Sequence, residues 1–145
     1  MDLFTDTHYK VGRTEMKVNP FDFAGRHVMP LLKKRLIDIL YREYSLTQMK
    51  ISELTGMSQA TISKYADGYR GMSQVVKLPP YVEARIRELA LNVKEGKVRG
   101  IEVEFQLTKL VLELLSSGAL CKYHALIDNR DVAVGCKICL TLFKT

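Results

Sequence analysis

Apolar residues recur three and four apart along most of this chain, and the stripes they make predict five helices. Leu32, Leu36, Ile39 and Leu40, with Ile37 beside them, line one side of a helix from Pro30 to about Tyr44. Lys33, Lys34, Arg35, Asp38 and Arg42 fall on its outer side. Pro30 suits the first turn, where a missing N–H costs nothing. Ile51 and Leu54, then Ile62 and Tyr65, mark the inner sides of two short helices. Pro79-Pro80 is the clearest boundary, and Val82, Ile86, Leu89, Ala90 and Val93 define a helix from Tyr81 to about Glu95. Gly96 to Gly100 breaks the pattern. The last long helix, Ile101 to Leu115, carries Ile101, Phe105, Leu107, Leu110, Val111, Leu112, Leu114 and Leu115. That is more apolar surface than one stripe, so the helix is either buried in its own core or covered in part by a second copy of the chain. The expected fold class is all-α.

The two short helices form the most informative segment. Thr47 is placed to cap the first, with Lys50 and Glu53 on its outer face, and Ser58 is placed to cap the second. Gly56 between them supplies the positive φ of a tight turn. Gln59, Ala60, Ser63 and Lys64 are left on the open side, and no acidic residue lies between Gly56 and Ala66. Small, polar and basic side chains on such a face suit base edges and phosphates in a major groove. Two amphipathic helices around a glycine also occur as plain helical hairpins; the caps, the acid-free face and the local charge favour a helix-turn-helix that binds double-stranded DNA. Arg70, in the loop after Gly68, is suited to a phosphate contact or to bracing that loop.

The chain has 145 residues, 47% of them hydrophobic, which fits a folded globular protein. No apolar run approaches the ~18 residues that span a bilayer. Asp2, Asp6 and His8 sit in a polar start that fits no signal peptide, so a cytoplasmic location and no membrane association are expected. Of the net charge of +6, a surplus of +5 lies in residues 26–77, where nine Lys or Arg meet four Asp or Glu. That placement is the electrostatic footprint of a polyanion binder. Residues 1–25 carry Gly12, Asn19-Pro20 and Gly25 and read as an irregular arm anchored by Phe21 and Phe23. No internal repeat or low-complexity tract appears.

All three cysteines lie in the last 25 residues. Cys121 and His124 have two residues between them, as do Cys136 and Cys139, and Ala125 to Gly135 joins the pairs. Such pairs let two donors converge from one turn and present four ligands to one ion. A closed four-ligand set fits structural zinc and leaves no open position for metal catalysis. An iron-sulfur cluster on three thiolates and an imidazole, a Cys136–Cys139 dithiol switch, and simple burial of the cysteines stay open beside it. A deaminase-type zinc centre needs a glutamate two residues after the histidine, and that position is Leu126. No acid–base pattern is evident around His8 or His27 along the sequence, and no phosphate-cradling glycine loop or activated serine is evident. No enzyme is expected.

Taken together, these residues resemble a family of archaeal transcriptional regulators with a helix-turn-helix of the phage-repressor, or xenobiotic response element, type. The likeness runs from Met29-Pro30 to Leu40, through Gln48, Gly56, Ser58 to Ser63, Tyr65, Gly68 and Arg70-Gly71, and resumes at Leu120 to His124 and Cys136 to Leu140. It implies a homodimeric DNA binder with a small cysteine-rich tail. It implies that Gln48 and Ser58 touch phosphates, that Thr61 supports them, and that Gln59, Ala60 and Lys64 face bases. Ala60 departs from the long polar residue common at that place, so fewer direct base contacts are implied. The resulting division is an arm, 1–25, a DNA-binding domain, 26–78, a helical dimerisation region, 79–118, and a Cys/His metal-binding tail, 119–145. The expected function is a sequence-specific, homodimeric transcriptional regulator with zinc in its tail. The alternatives are an iron-sulfur redox or iron sensor that gates DNA binding, or an antitoxin-like adaptor whose helices 81–115 cover a protein partner.

Overall fold

The computed structural model describes residues 16–69, 76–128 and 136–143, and helix is the only regular structure among them. A short helix α1 (Pro20–Phe23) runs through a π-helical turn, Ala24–Val28, into α2 (Met29–Asp38), which ends in a second π-helical turn, Ile39–Glu43. Then come α3 (Gln48–Thr55), α4 (Gln59–Ala66), α5 (Pro80–Lys94), α6 (Ile101–Ser117), α7 (Cys121–Ile127) and α8 (Ile138–Leu142). By compactness the chain divides into two units, His27–Leu110 and Met1–Arg26 with Val111–Thr145.

In the first unit α2 is the hub, packed against α4 and α5, while α3 packs against α4 and α5. Leu32, Leu36, Ile37, Ile39 and Leu40 are fully buried, as the stripe from Pro30 onward predicts. Ile51, Leu54, Ile62 and Tyr65 face the same core. Val82, Ile86, Ala90 and Val93 of α5 are buried, as are Val103 and Leu107 of α6. Burying an aliphatic side chain of this size contributes about 1.5–3 kcal/mol, so this apolar set is what holds the short helices together. The turn Gly56, at φ +76°, closes α3 and lies against the start of α6: a Cβ built there would sit 3.4 Å from Gly100 Cα. Gly100 N–H also donates to Leu54 O at 3.0 Å.

The cations expected on the outer side of α2 are mostly turned to internal use. Arg35 grips Glu83 of α5 through Nε and Nη2, with Nε 2.9 Å from each carboxylate oxygen. Lys33 pairs with Glu104 at 2.9 Å, and Arg87 with Glu43 at 3.1 Å. The hydrogen bond from Arg35 holds the Glu83 carboxyl below its ordinary range, against the opposing effect of burial. A depressed carboxyl contributes stability above its unfolded pKa and loses it as pH falls through the folded value. Stability is therefore expected to drop below about pH 4, by no more than about 1 kcal/mol from this half-exposed pair. Urea midpoints of wild type and Glu83→Gln across the acid range check this; parallel pH profiles would count against it.

In the second unit the expected irregular arm is corrected for residues 20–23. Asn19-Pro20 starts a helix instead of breaking one, because Asn19 Oδ1 accepts from Asp22 N–H at 2.9 Å and Pro20 takes the first turn. Of the two expected anchors, Phe23 is buried and Phe21 is exposed, its ring edge-on to Phe143 at 5.7 Å. Asp128 accepts from Lys17 N–H and Val18 N–H, each at 2.8 Å. Leu114, Leu115, Leu120, Tyr123 and Cys139 supply the remaining apolar interior. The division between units falls inside α6, between Leu110 and Val111.

Candidate functional site

α4 is built to present one face. Ser58 Oγ accepts from Thr61 N–H at 3.1 Å and shares a hydrogen bond with Thr61 Oγ1 at 2.9 Å, closing the N-terminus. Thr47 does the same for α3, accepting from Lys50 N–H at 3.1 Å. Ile62, Tyr65 and Ala66 are buried, which leaves Ser58, Gln59, Ala60 and Lys64 exposed and Thr61 and Ser63 half-buried. Gln48 is half-buried at the start of α3. Ser63 Oγ donates to Asp67 at 2.7 Å, so its hydroxyl is already engaged and an acid stands beside it. The Lys64 ammonium lies over the rings of Tyr65 and Tyr69, 5.4 and 5.3 Å from their centroids. Arg70 lies outside the described residues.

The C-terminal end of α4 reveals two positioning residues the sequence reading missed. Lys34 Nζ donates to Tyr65 O at 2.8 Å and Arg42 Nη2 to Ala66 O at 3.1 Å. Asp38 lies between them, 2.9 Å from Lys34 Nζ and 3.7 Å from Arg42 Nε. Two cations thus satisfy the last carbonyls of α4 and meet the negative end of its dipole. The spacing of positions 34, 38 and 42, four apart on one helix face, was the available signal. Lys50 pairs with Glu53 at 3.7 Å. Lys34 and Arg42 therefore hold α4 in place, and Lys64 is the exposed cation that α4 itself carries.

The cysteine-rich end is assembled differently from the expected four-ligand shell. Cys139 is buried, Cys121 and Cys136 half-buried. Burial first, then the neighbouring Cys121 and Cys136, pushes the Cys139 thiol up to about 11. Burial and Cys136 raise that of Cys121. His124 is turned to other partners: Nε2 lies 2.5 Å from Val18 O and 3.5 Å from Asp128, and its ring stacks on Phe23 at 4.7 Å and 12°. Cys121, Cys139 and His124 line one small cavity with Phe23, Leu114, Leu115 and Leu120, of about 10 Å³, room for one water-sized body. Among the described residues no three His, Cys, Asp or Glu side chains converge closely enough to hold a metal ion.

Among the described residues no single helix is long and apolar enough to cross a membrane. No family model, curated protein or solved structure matches this chain.

Proposed function

We propose that this chain is a sequence-specific DNA-binding transcriptional regulator that acts as a homodimer, with α4 as its reading helix. The observation that carries the reading is the exposed face Ser58, Gln59, Ala60 and Lys64 on a helix capped at its start and clamped at its end by Lys34 and Arg42. A reading helix must hold a few side chains in a fixed register against base edges, and that clamp provides it. Gln59 is suited to adenine and Lys64 to guanine. Ser58, with Thr61 behind it, and Gln48 serve phosphates, which supply most of the affinity. Ser63 contributes less, since Asp67 already takes its hydroxyl.

Selection from random duplexes, followed by titration of the winning site, tests the reading. Lys64→Ala is expected to weaken the selected site by about tenfold, near 1–2 kcal/mol, and random-sequence DNA by less. Equal losses on both would reduce Lys64 to a phosphate contact. Failure to enrich any sequence would overturn sequence-specific binding.

The tail is read as a zinc-binding element in which Cys121, Cys136 and Cys139 supply thiolates. Zinc would contribute folding energy to a small unit without taking part in a reaction. His124 enters that set only by giving up Val18 O. The spacing of the cysteines equally fits an iron-sulfur alternative, in which the cluster state gates DNA binding. Metal content and visible absorbance of chain purified without oxygen separate the two. Colourless, air-stable chain with one zinc is expected; iron with sulfide and absorbance that bleaches in air would replace zinc by a sensing cluster.

A further inference from the structure

Among the described residues, one side of α6 is left uncovered. Ile101 and Phe105 are 86% and 65% exposed, Thr108 is exposed, and Leu112 further along the same helix is 36% exposed. Their spacing of four, three and four is that of a seam between two helices. On the opposite side Val103, Leu107 and Leu110 are buried, so the apolar excess of this helix is divided between its own core and an uncovered stripe.

We infer that this stripe is the homodimer contact, and that two copies of α6 pair across it in antiparallel sense. The inference rests on the homodimer proposed above and specifies its surface and sense. The occupant is identified by self-complementarity. With the two-fold axis midway along the seam, Ile101 falls opposite the partner's Leu112 and Phe105 opposite the partner's Thr108. The charges fix the sense. Glu102 and Lys109 are both exposed and seven residues apart, so they lie on the same flank of the stripe. The other flank carries Glu104, whose carboxylate is paired with Lys33. Antiparallel helices related by a two-fold axis bring like flanks together, setting Glu102 within a turn of the partner's Lys109, and the reverse pair with it. Parallel helices would set Lys109 against the partner's Glu104, where it competes with Lys33, and would leave Glu102 opposite no cation of α6.

The same pairing bears on DNA. Gly100, at the start of α6, is hydrogen-bonded to Leu54 O at the end of α3, so a dimer formed through α6 fixes the separation of its two reading helices. Two-fold DNA sites demand such a fixed separation. The stripe is small beside the roughly 800 Å² per partner of a standard interface, so the dimer is expected to dissociate on dilution.

Sedimentation equilibrium of the full chain over a wide concentration range is the test, with circular-dichroism melting of every variant to show that the fold is intact. Phe105→Glu is expected to raise the dimer dissociation constant about 100-fold or more with unchanged melting. Glu102→Lys and Lys109→Glu should each weaken the dimer, and the two together should restore it. A wild-type chain that stays monomeric throughout would overturn the homodimer itself. A dimer indifferent to Phe105→Glu and Ile101→Lys would keep the homodimer but overturn this surface. Loss with Phe105→Glu and no restoration by the double reversal would overturn the antiparallel sense.

Discussion

Ile62→Ala is expected to lower the stability of this protein by about 2–4 kcal/mol while leaving the sequence preference of its folded fraction unchanged. Ile62 is fully buried on the inner side of α4, the element that packs against both α2 and α3. Truncation removes the transfer free energy of three carbons and opens a cavity beneath the proposed reading face, which two flanking helices cannot fully close. The urea midpoint should fall with an unchanged slope, since the native surface is otherwise preserved. The comparison with Lys64→Ala is instructive, because the two residues lie on opposite sides of one short helix. One change should cost stability without specificity, the other specificity without stability. A Lys64→Ala variant that melts earlier than Ile62→Ala, or an Ile62→Ala variant that prefers a different site, would show that the two sides of α4 are not separable.

Gly56→Val is expected to cost about 2–3 kcal/mol, and Gly56→Asn distinctly less. Gly56 sits at φ +76°, where an L side chain is strained and a β-branched one most of all, while asparagine tolerates the left-handed region. Space adds to the strain, because a Cβ there approaches Gly100 Cα to 3.4 Å and a γ-carbon would approach closer. Gly100 is itself at φ +57° and bonded to Leu54 O, so relief by shifting the start of α6 would break that bond. Chemical denaturation of the three forms measures the order. Valine and asparagine costing the same would mean that the left-handed turn is not retained in the folded chain.

The Ile62 and Gly56 expectations rest on features legible in the residues, and the reason is that they are local. A cap needs a side-chain oxygen three residues before its N–H, so Thr47 and Ser58 announce themselves. A left-handed turn needs a residue without a Cβ, and apolar spacing alone identifies the inner sides of α2, α3 and α4. The charge footprint was legible only as a sum. Its assignment was not, because Lys34 and Arg42 reach Tyr65 O and Ala66 O only once α2 and α4 have docked, and Arg35 finds Glu83 forty-eight positions away.

The cysteine-rich end shows the same boundary from the other side. Spacing made Cys121, His124, Cys136 and Cys139 equivalent candidates. Packing separates them, since residues 17 and 18 return to Asp128 and offer Val18 O to His124, while Cys139 is buried and Cys121 and Cys136 half-buried. The sequence by itself determined that the chain is helical, where most of its helices start and which of their sides turn inward, since these depend on residues within a turn or two of each other. Only the tertiary structure decided which cations serve α4 as clamps, which face of α6 is left uncovered and where His124 points, because those outcomes depend on residues brought together from distant parts of the chain.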